Sequence, residues 1–206
     1  DQVTALRAGT WNKKEFGKAR GLKGLTLGVV GVGNIEQEFI QRANAFGMHV
    51  VVWSRSITPQ HANALHCEFG GTDTPALHAL AKRADAISVH LPLVDSTKKL
   101  FGRAFFECMK PNSYFINTSR GGVVDEDALR WAIKEKNIRA GLDVFDPQPA
   151  EAEGPFANET GKLAGVYGTH HCGASTDQAQ MAVAMEAVRI VKVYQERGTV
   201  ENCVNP

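Results

Sequence analysis

The first residues with a chemical signature are two glycines. Leu27-Gly28-Val29-Val30 is an apolar run that leads into Gly31-Val32-Gly33-Asn34-Ile35-Glu36, and a helical pattern follows. Strand, glycine turn and helix in this order are the setting of a dinucleotide site. Gly31 permits the tight turn, and Gly33 lets the backbone approach a pyrophosphate. The amides of Asn34 and Ile35, at the helix N-terminus, then face the phosphate oxygens. The pattern departs from G-x-G-x-x-G at its third position, where Glu36 stands. A glutamate there adds bulk and negative charge beside an anionic pyrophosphate, although a carboxylate in a first helical turn is favoured by the helix dipole. A second departure follows the next strand, in Trp53-Ser54-Arg55-Ser56. About twenty residues beyond such a turn, an Asp or Glu ordinarily holds the ribose hydroxyls of NAD. Here no carboxylate repels a 2′-phosphate, and Arg55 can pair with one. Ser54 and Arg55 are therefore assigned to the ribose end. The expected cofactor is NAD or NADP, with NADP(H) accepted; the plain alternative for Arg55 is a solvated surface residue.

These residues need a scaffold, and the rest of the chain supplies one by alternation. Short, mostly β-branched runs at 50–53, 86–91, 114–117, 139–145 and 165–168 alternate with helical patterns at 35–46, 77–84 and 125–134. Continuously apolar short strands separated by helices predict an α/β fold. Its form is a Rossmann-type doubly wound parallel sheet with helices on both faces. A last helix is expected over about 176–197. Ser175 is its cap, Gln178 occupies the reciprocal capping position, and Gly198 lies just past its end. Met181, Ala184, Met185, Val188 and Val191 form one apolar stripe, and Val183, Ala187, Ile190 and Tyr194 form another. A helix apolar over so much of its circumference is expected to be buried, in the core first and otherwise in a subunit contact.

Four downstream motifs are more specific. They are His90-Leu91-Pro92-Leu93, then Asn117-Thr118-Ser119-Arg120-Gly121-Gly122-Val123-Val124-Asp125-Glu126-Asp127-Ala128-Leu129, then Gly141-Leu142-Asp143-Val144-Phe145-Asp146-Pro147-Gln148-Pro149, and finally Thr169-His170-His171-Cys172-Gly173-Ala174-Ser175-Thr176. In this order and spacing the chain resembles the cofactor-binding domain of the D-2-hydroxyacid dehydrogenases over essentially its whole length. Within that family it is most similar to the D-3-phosphoglycerate dehydrogenase branch, with glyoxylate and hydroxypyruvate reductases as neighbours. The resemblance implies hydride transfer between NAD(P) and a small 2-hydroxy or 2-keto acid. It also implies a role for Arg120, which would bind the substrate carboxylate and polarise the reacting carbonyl. A planar, always charged guanidinium suits that task. His171 takes the position of the acid/base histidine, and His170 stands where the family has proline. The family pairs this histidine with a glutamate, but Gln148 stands there. An amide can orient an imidazole but cannot stabilise imidazolium by charge. Proton transfer is therefore expected to weaken, or its pH optimum to move down. Glu151 and Glu153, just downstream, are the other carboxylates available. By the same resemblance, Asp143 would accept a hydrogen bond from the nicotinamide carboxamide. The backbone at Thr118 and Gly173 would line the nicotinamide pocket, and Pro92 and Thr97 the adenosine and pyrophosphate side. His90 reads as a core histidine at a strand end. Hydride transfer needs no metal, and the histidines have no metal-ligand spacing.

Two other readings remain open on sequence. Pro147-Gln148-Pro149-Ala150 is similar to formate dehydrogenases of the same superfamily, in which hydride leaves without a base. A non-catalytic NAD(H)-binding regulator could keep the same Arg and His motifs.

Composition bounds the rest. Among 206 residues, 23 basic and 22 acidic side chains give a net charge of +1, which argues for neither a nucleic-acid partner nor an anionic membrane. No apolar run is long enough to span a bilayer. Cys67, Cys108, Cys172 and Cys203 form no C-x-x-C pair, which argues against a disulfide scaffold or zinc ribbon and fits a reducing cytoplasm. The chain opens at Asp1, and its glycine turn begins at residue 31. Residues 1–206 are thus expected to be one dinucleotide-binding domain cut from a longer enzyme. On this reading about 1–20 and 198–206 are remnants of the connections to a substrate domain. The piece alone is expected to bind NAD(P) and turn over poorly. A homodimer through this domain, as in the family, is compatible with the apolar last helix.

Overall fold

The protein is described from a computed structural model, which covers residues 1–151 and 153–203; residues 204–206 of the expected terminal connection lie outside it. Seven strands form one sheet: β1 (Thr26–Val30), β2 (His49–Trp53), β3 (Glu68–Phe69), β4 (Ala86–Val89), β5 (Tyr114–Asn117), β6 (Arg139–Leu142) and β7 (Val166–Gly168). Their order is β3-β2-β1-β4-β5-β6-β7 and every pairing is parallel. The helices are α1 (Gln2–Arg7), α2 (Lys13–Phe16), α3 (Asn34–Ala45), α4 (Pro59–Ala64), α5 (Thr74–Arg83), α6 (Arg103–Cys108), α7 (Glu126–Lys136) and α8 (Asp177–Arg197). This is the expected doubly wound α/β architecture. Because the strands run one way, all their carboxyl ends lie along one edge. The strand order reverses between β1 and β4, which opens the crevice where such sheets bind ligands.

The continuous apolar runs follow from burial on both faces. Val50 and Val52 pack into one core with Val29 and Ile40, whereas Val51 and Trp53 of the same strand pack into the other. That second core is dominated by phenylalanines. Phe101 meets Phe115 edge-on with ring centroids 5.5 Å apart, and Phe106 meets Phe115 at 5.1 Å. All of these rings are fully buried.

The structure departs from the sequence reading in four places. The strands expected to reach residues 91 and 145 stop at Val89 and Leu142. Leu91, Val144 and Phe145 are buried as loop anchors on the core, so their apolarity records burial rather than pairing. α4 and β3 are too short to carry a periodic signal, although Thr58 caps α4 through the His61 amide at 3.1 Å and Pro59 opens it. α8 is capped by Thr176, whose hydroxyl accepts from the Ala179 amide at 3.2 Å, and not by Ser175. The Ser175 amide instead donates to Cys172 O at 2.9 Å, which closes the preceding turn. Finally, α8 is not part of the core: none of its residues is buried, and Met181 and Val183 are 63% and 71% exposed. Periodicity reports how apolar a helix is around its circumference, and not which surface covers it.

The phenylalanine cluster supports the strand that carries the candidate arginine loop. Phe115→Ala should lower the free energy of unfolding by about 3–5 kcal/mol, read as a lower midpoint in urea denaturation followed by circular dichroism.

Candidate functional site

One half of the site lies at the β1/β4 crevice. The Gly31 backbone sits in the left-handed region at φ +106, and a Cβ there would lie 2.2 Å from the His90 carbonyl oxygen. The Gly31 amide donates to Trp53 O at 2.8 Å, so the turn ties the ends of three strands together. Gly33 caps α3, and the amides of Asn34 and Ile35 are the first of that helix. Such amides have no intrahelical acceptor and are free for phosphate oxygens. A cradle that a single Cβ would fill, opening onto free amides, fits a dinucleotide pyrophosphate. Glu36, expected to add bulk and negative charge beside the pyrophosphate, is buried against the turn: Oε1 lies 3.4 Å from Nδ1 of His90, and Oε2 lies 2.8 Å from where a Cβ on Gly33 would sit. The His90 side chain is 9% exposed, with Nε2 2.8 Å from Ser88 Oγ. Burial holds its pKa below the ordinary value, against the opposing pull of Glu36.

The ribose-side residues divide in two. Arg55 is exposed and its guanidinium donates to Ser96 Oγ at 2.6 Å, spanning the loops after β2 and β4. Ser54 is buried, and its hydroxyl shapes the turn by accepting from the Ser56 amide at 3.4 Å. Pro92 is exposed on the rim. Thr97 cannot line a ligand surface as expected, because it is only 2% exposed. Its hydroxyl donates to Pro92 O at 2.6 Å and accepts from the Val94 amide at 2.9 Å, so it braces the loop from within.

The other half lies at the ends of β5, β6 and β7. Asn117, the buried last residue of β5, builds the turn that presents Arg120. Its Nδ2 donates to Arg120 O at 2.9 Å, and its Oδ1 accepts the Ser119 amide at 3.0 Å and hydroxyl at 2.8 Å. Thr118 and Arg120 are exposed. A Cβ on Gly121 would fall 2.2 Å from Phe145 O, so this glycine lets the arginine loop press against the loop after β6. That second loop carries Gln148. Its Oε1 accepts the Phe145 amide at 3.3 Å, which leaves Nε2 to donate to Nδ1 of His171 at 2.8 Å. The bonding therefore places the proton of a neutral His171 on Nε2. His170 makes no such contact; it lines a cavity of about 350 Å³ with Gln148, His171 and Thr169. Neither Glu151 nor Glu153 hydrogen-bonds the His171 ring among the described residues.

His171 has a left-handed backbone, φ +54, and Asp143 holds it there. Asp143 Oδ1 accepts from the Thr169 hydroxyl at 2.5 Å and the Cys172 amide at 3.0 Å, and Oδ2 accepts from the Gly173 amide at 3.0 Å. Burial pushes the Asp143 carboxyl up, but these bonds and the neighbouring His171 outweigh it and hold it below the usual carboxylate range. The carboxylate expected to meet a nicotinamide carboxamide is thus already the clamp of the histidine loop, with both oxygens engaged. Gly173, expected to contribute backbone to the same pocket, has its amide inside that clamp. Sequence reasoning passed over Asn117 as a builder of the site, and Glu126 as well. Glu126 accepts from the Asp146 amide at 2.8 Å, Asn158 Nδ2 at 2.8 Å and the Thr160 hydroxyl at 2.6 Å, and so fixes the segment that leads to Gln148. Both stand in the motif at 117–129; their polar side chains beside a strand end and at a helix start were the available signal.

Among the described residues, no group of His, Cys, Asp and Glu could hold a metal, and no helix is long and apolar enough to cross a membrane. All four cysteines are free, and burial pushes the Cys67 thiol up to about 11.

Comparison with known proteins agrees with this geometry. Residues 2–173 match the family described as D-isomer specific 2-hydroxyacid dehydrogenase, NAD binding domain. The chain is 39% identical over 206 residues to D-3-phosphoglycerate dehydrogenase of Methanocaldococcus jannaschii, covering 99% of this chain and 37% of that one. It is 37% identical over 207 residues to glyoxylate reductase of Thermococcus litoralis, covering 97% of this chain and 60% of that one. It therefore spans less than two thirds of either relative. Among solved structures, the TT0316 protein of Thermus thermophilus superposes with a TM-score of 0.83 at 33% identity, over 99% of this chain and 62% of that one. With a glycine-turn crevice between β1 and β4 and an oriented histidine after β7 on the same edge, the chain belongs to the D-isomer specific 2-hydroxyacid dehydrogenases, of which it contains the NAD-binding domain.

Proposed function

We propose that this chain forms the cofactor-binding half of an enzyme that moves hydride between NAD(P) and a small 2-hydroxy or 2-keto acid, of the phosphoglycerate dehydrogenase or glyoxylate/hydroxypyruvate reductase type. The observation that carries this reading is the Gln148–His171 pair on the same sheet edge as the glycine turn. The bound dinucleotide supplies the hydride. Gly31, Gly33 and the amides of Asn34 and Ile35 hold its pyrophosphate. Arg120, exposed and among the described residues bonded through its guanidinium only to Ser119 O, pairs with the substrate carboxylate through two hydrogen bonds. His171 Nε2–H, aimed by Gln148, donates to the carbonyl oxygen as charge develops there. The proton that completes the alcohol comes from His171 in its imidazolium form, to which Gln148 offers no opposite charge.

The apolar, exposed face of α8 supports a homodimer or a contact with a substrate-reading domain, and four free cysteines support a reducing cytoplasm. Should the substrate be 3-phosphoglycerate, the enzyme belongs to serine biosynthesis. A formate-oxidising site is the second reading, because Gln148 rather than a carboxylate orients His171.

The deciding assay uses the native polypeptide that contains these residues. It compares glyoxylate, hydroxypyruvate and phosphohydroxypyruvate with NADH and NADPH against formate with NAD+ and NADP+. Reduction of a keto acid is expected, and oxidation of formate alone would replace this proposal with the second reading. Arg120→Gln should lower kcat/KM for the keto acid about a hundredfold or more, as loss of a charged donor in an active site does. Gln148→Glu should carry the alkaline limb of the reduction profile upward by about one pH unit, because a carboxylate stabilises imidazolium where an amide does not; an unmoved limb would refute the role given to Gln148. In titrations, NADPH should bind at least as tightly as NADH, and Arg55→Ala should cost NADPH about tenfold while leaving NADH nearly unchanged; a strong preference for NADH in the native chain would remove Arg55 from the ribose.

A further inference from the structure

Glu36 is the charged residue of the glycine turn and has no task in the proposed function, and His90 is a base outside the catalytic pair with its side chain 9% exposed. They meet beneath the place where the pyrophosphate is expected. Glu36 Oε1 lies 3.4 Å from His90 Nδ1, and both side chains are about nine-tenths buried. The other carboxylate oxygen, Oε2, lies 2.8 Å from the point a Cβ on Gly33 would occupy, so the carboxylate presses on the residue that caps α3. A fixed anion therefore sits against the helix terminus that must receive two more negative charges.

We infer that Glu36 and His90 act as an acid–base pair that takes up one proton from solvent when the dinucleotide pyrophosphate settles on the glycine turn. The inference rests on the dinucleotide reading of this crevice. The surroundings of His90 accommodate both protonation states without moving a heavy atom. In the neutral ring the Ser88 hydroxyl donates to Nε2 at 2.8 Å, and Nδ1 stands 3.4 Å from Glu36 Oε1; in imidazolium, Nε2–H donates and the Ser88 oxygen accepts. Phe39 covers the ring, 5.2 Å between centroids, and brings no charge.

No other charge competes for His90. β1 has no titratable side chain. On α3, Glu38 and Arg42 bond each other at 2.8 Å on the exposed face. Beyond β2, Arg55 is engaged by Ser96. Among the described residues, Glu36 is the one charge that acts on His90. In the free protein, burial keeps the imidazole neutral near pH 7 while the carboxylate stays within reach. The arriving pyrophosphate makes the local field more negative and so favours His90 in its charged form. The bound state then holds more protons than the free state, and binding weakens as pH rises.

The test measures the dissociation constant of NADH, by fluorescence and calorimetry, from about pH 6 to about pH 8.5, across the range in which histidines titrate. Calorimetry is repeated in buffers of different ionisation enthalpy. The native protein should bind about tenfold more weakly at the alkaline end and should take up protons from the buffer on binding. Glu36→Gln, close to the same shape, should flatten the profile to within about twofold and bind more tightly than native at pH 8. His90→Gln should lose the proton uptake; circular dichroism checks that both variants are folded. A native profile flat in pH, or a slope and proton uptake that persist in Glu36→Gln, would overturn the inference. Failure of folded native protein to bind NADH at any pH would overturn the cofactor reading and the inference with it.

Discussion

Two contacts that no side chain could survive set the geometry of the carboxyl edge. At Gly31 the β1 turn lies so close to the His90 carbonyl that an added Cβ would fall 2.2 Å from its oxygen, and at Gly121 the same holds against the Phe145 carbonyl. Parallel strands deliver their loops to one edge, but an edge alone leaves those loops free to splay. The two close approaches bring β1 against β4 and the arginine loop against the loop of Gln148. A substitution that forced either pair apart would separate groups that must act on one ligand, and chemistry of this kind is sensitive to misplacement of about 1 Å.

Once the backbones are close, buried polar side chains hold them in place. Asn117 satisfies the turn before Arg120, Asp143 the turn around His171, and Glu126 the segment before Gln148. Each uses both ends of its amide or carboxylate, and no buried side-chain polar atom among the described residues is left without a partner. Arg120 and His171 are thus each presented by a loop whose shape is fixed from beneath, while their side chains stay exposed. Such a fully satisfied network rigidifies a site, whereas a half-satisfied one would carry the cost of unpaired buried groups.

The parts of this arrangement that follow from local pattern were legible in the sequence. Valines at 50–52 buried on both faces announce a parallel strand, and a glycine pair between strand and helix announces the crevice. The Gln148–His171 contact needed more: it spans 23 residues and could be anticipated only through resemblance to a family, since no periodicity links a loop after β6 with one after β7. The burial of the Thr97 and Ser54 side chains was not legible for a related reason. A hydroxyl near a binding loop can face the ligand or the loop, and here the backbone donors and acceptors of Pro92, Val94 and Ser56 claim it. The exposed stripe of α8 marks the same limit at larger scale, because a sequence states how much apolar surface an element carries but not what covers it.

The two departures from the family pattern follow different strands, β1 and β6, and have opposite signs. Glu36 adds a carboxylate where a glycine is usual, and Gln148 removes one where a glutamate is usual. Each stands beside a histidine, yet the two histidines are treated differently. His171 is exposed and receives a hydrogen bond from an amide, which fixes its tautomer but gives no support to a charge. His90 is buried and faces a carboxylate, with partners ready on both ring nitrogens for the charged form. The electrostatic support for imidazolium is therefore found at the cofactor phosphates and not at the reacting carbonyl. In such an arrangement the pH dependence of cofactor affinity and that of the chemical step come from separate residues, and a change at one leaves the other in place.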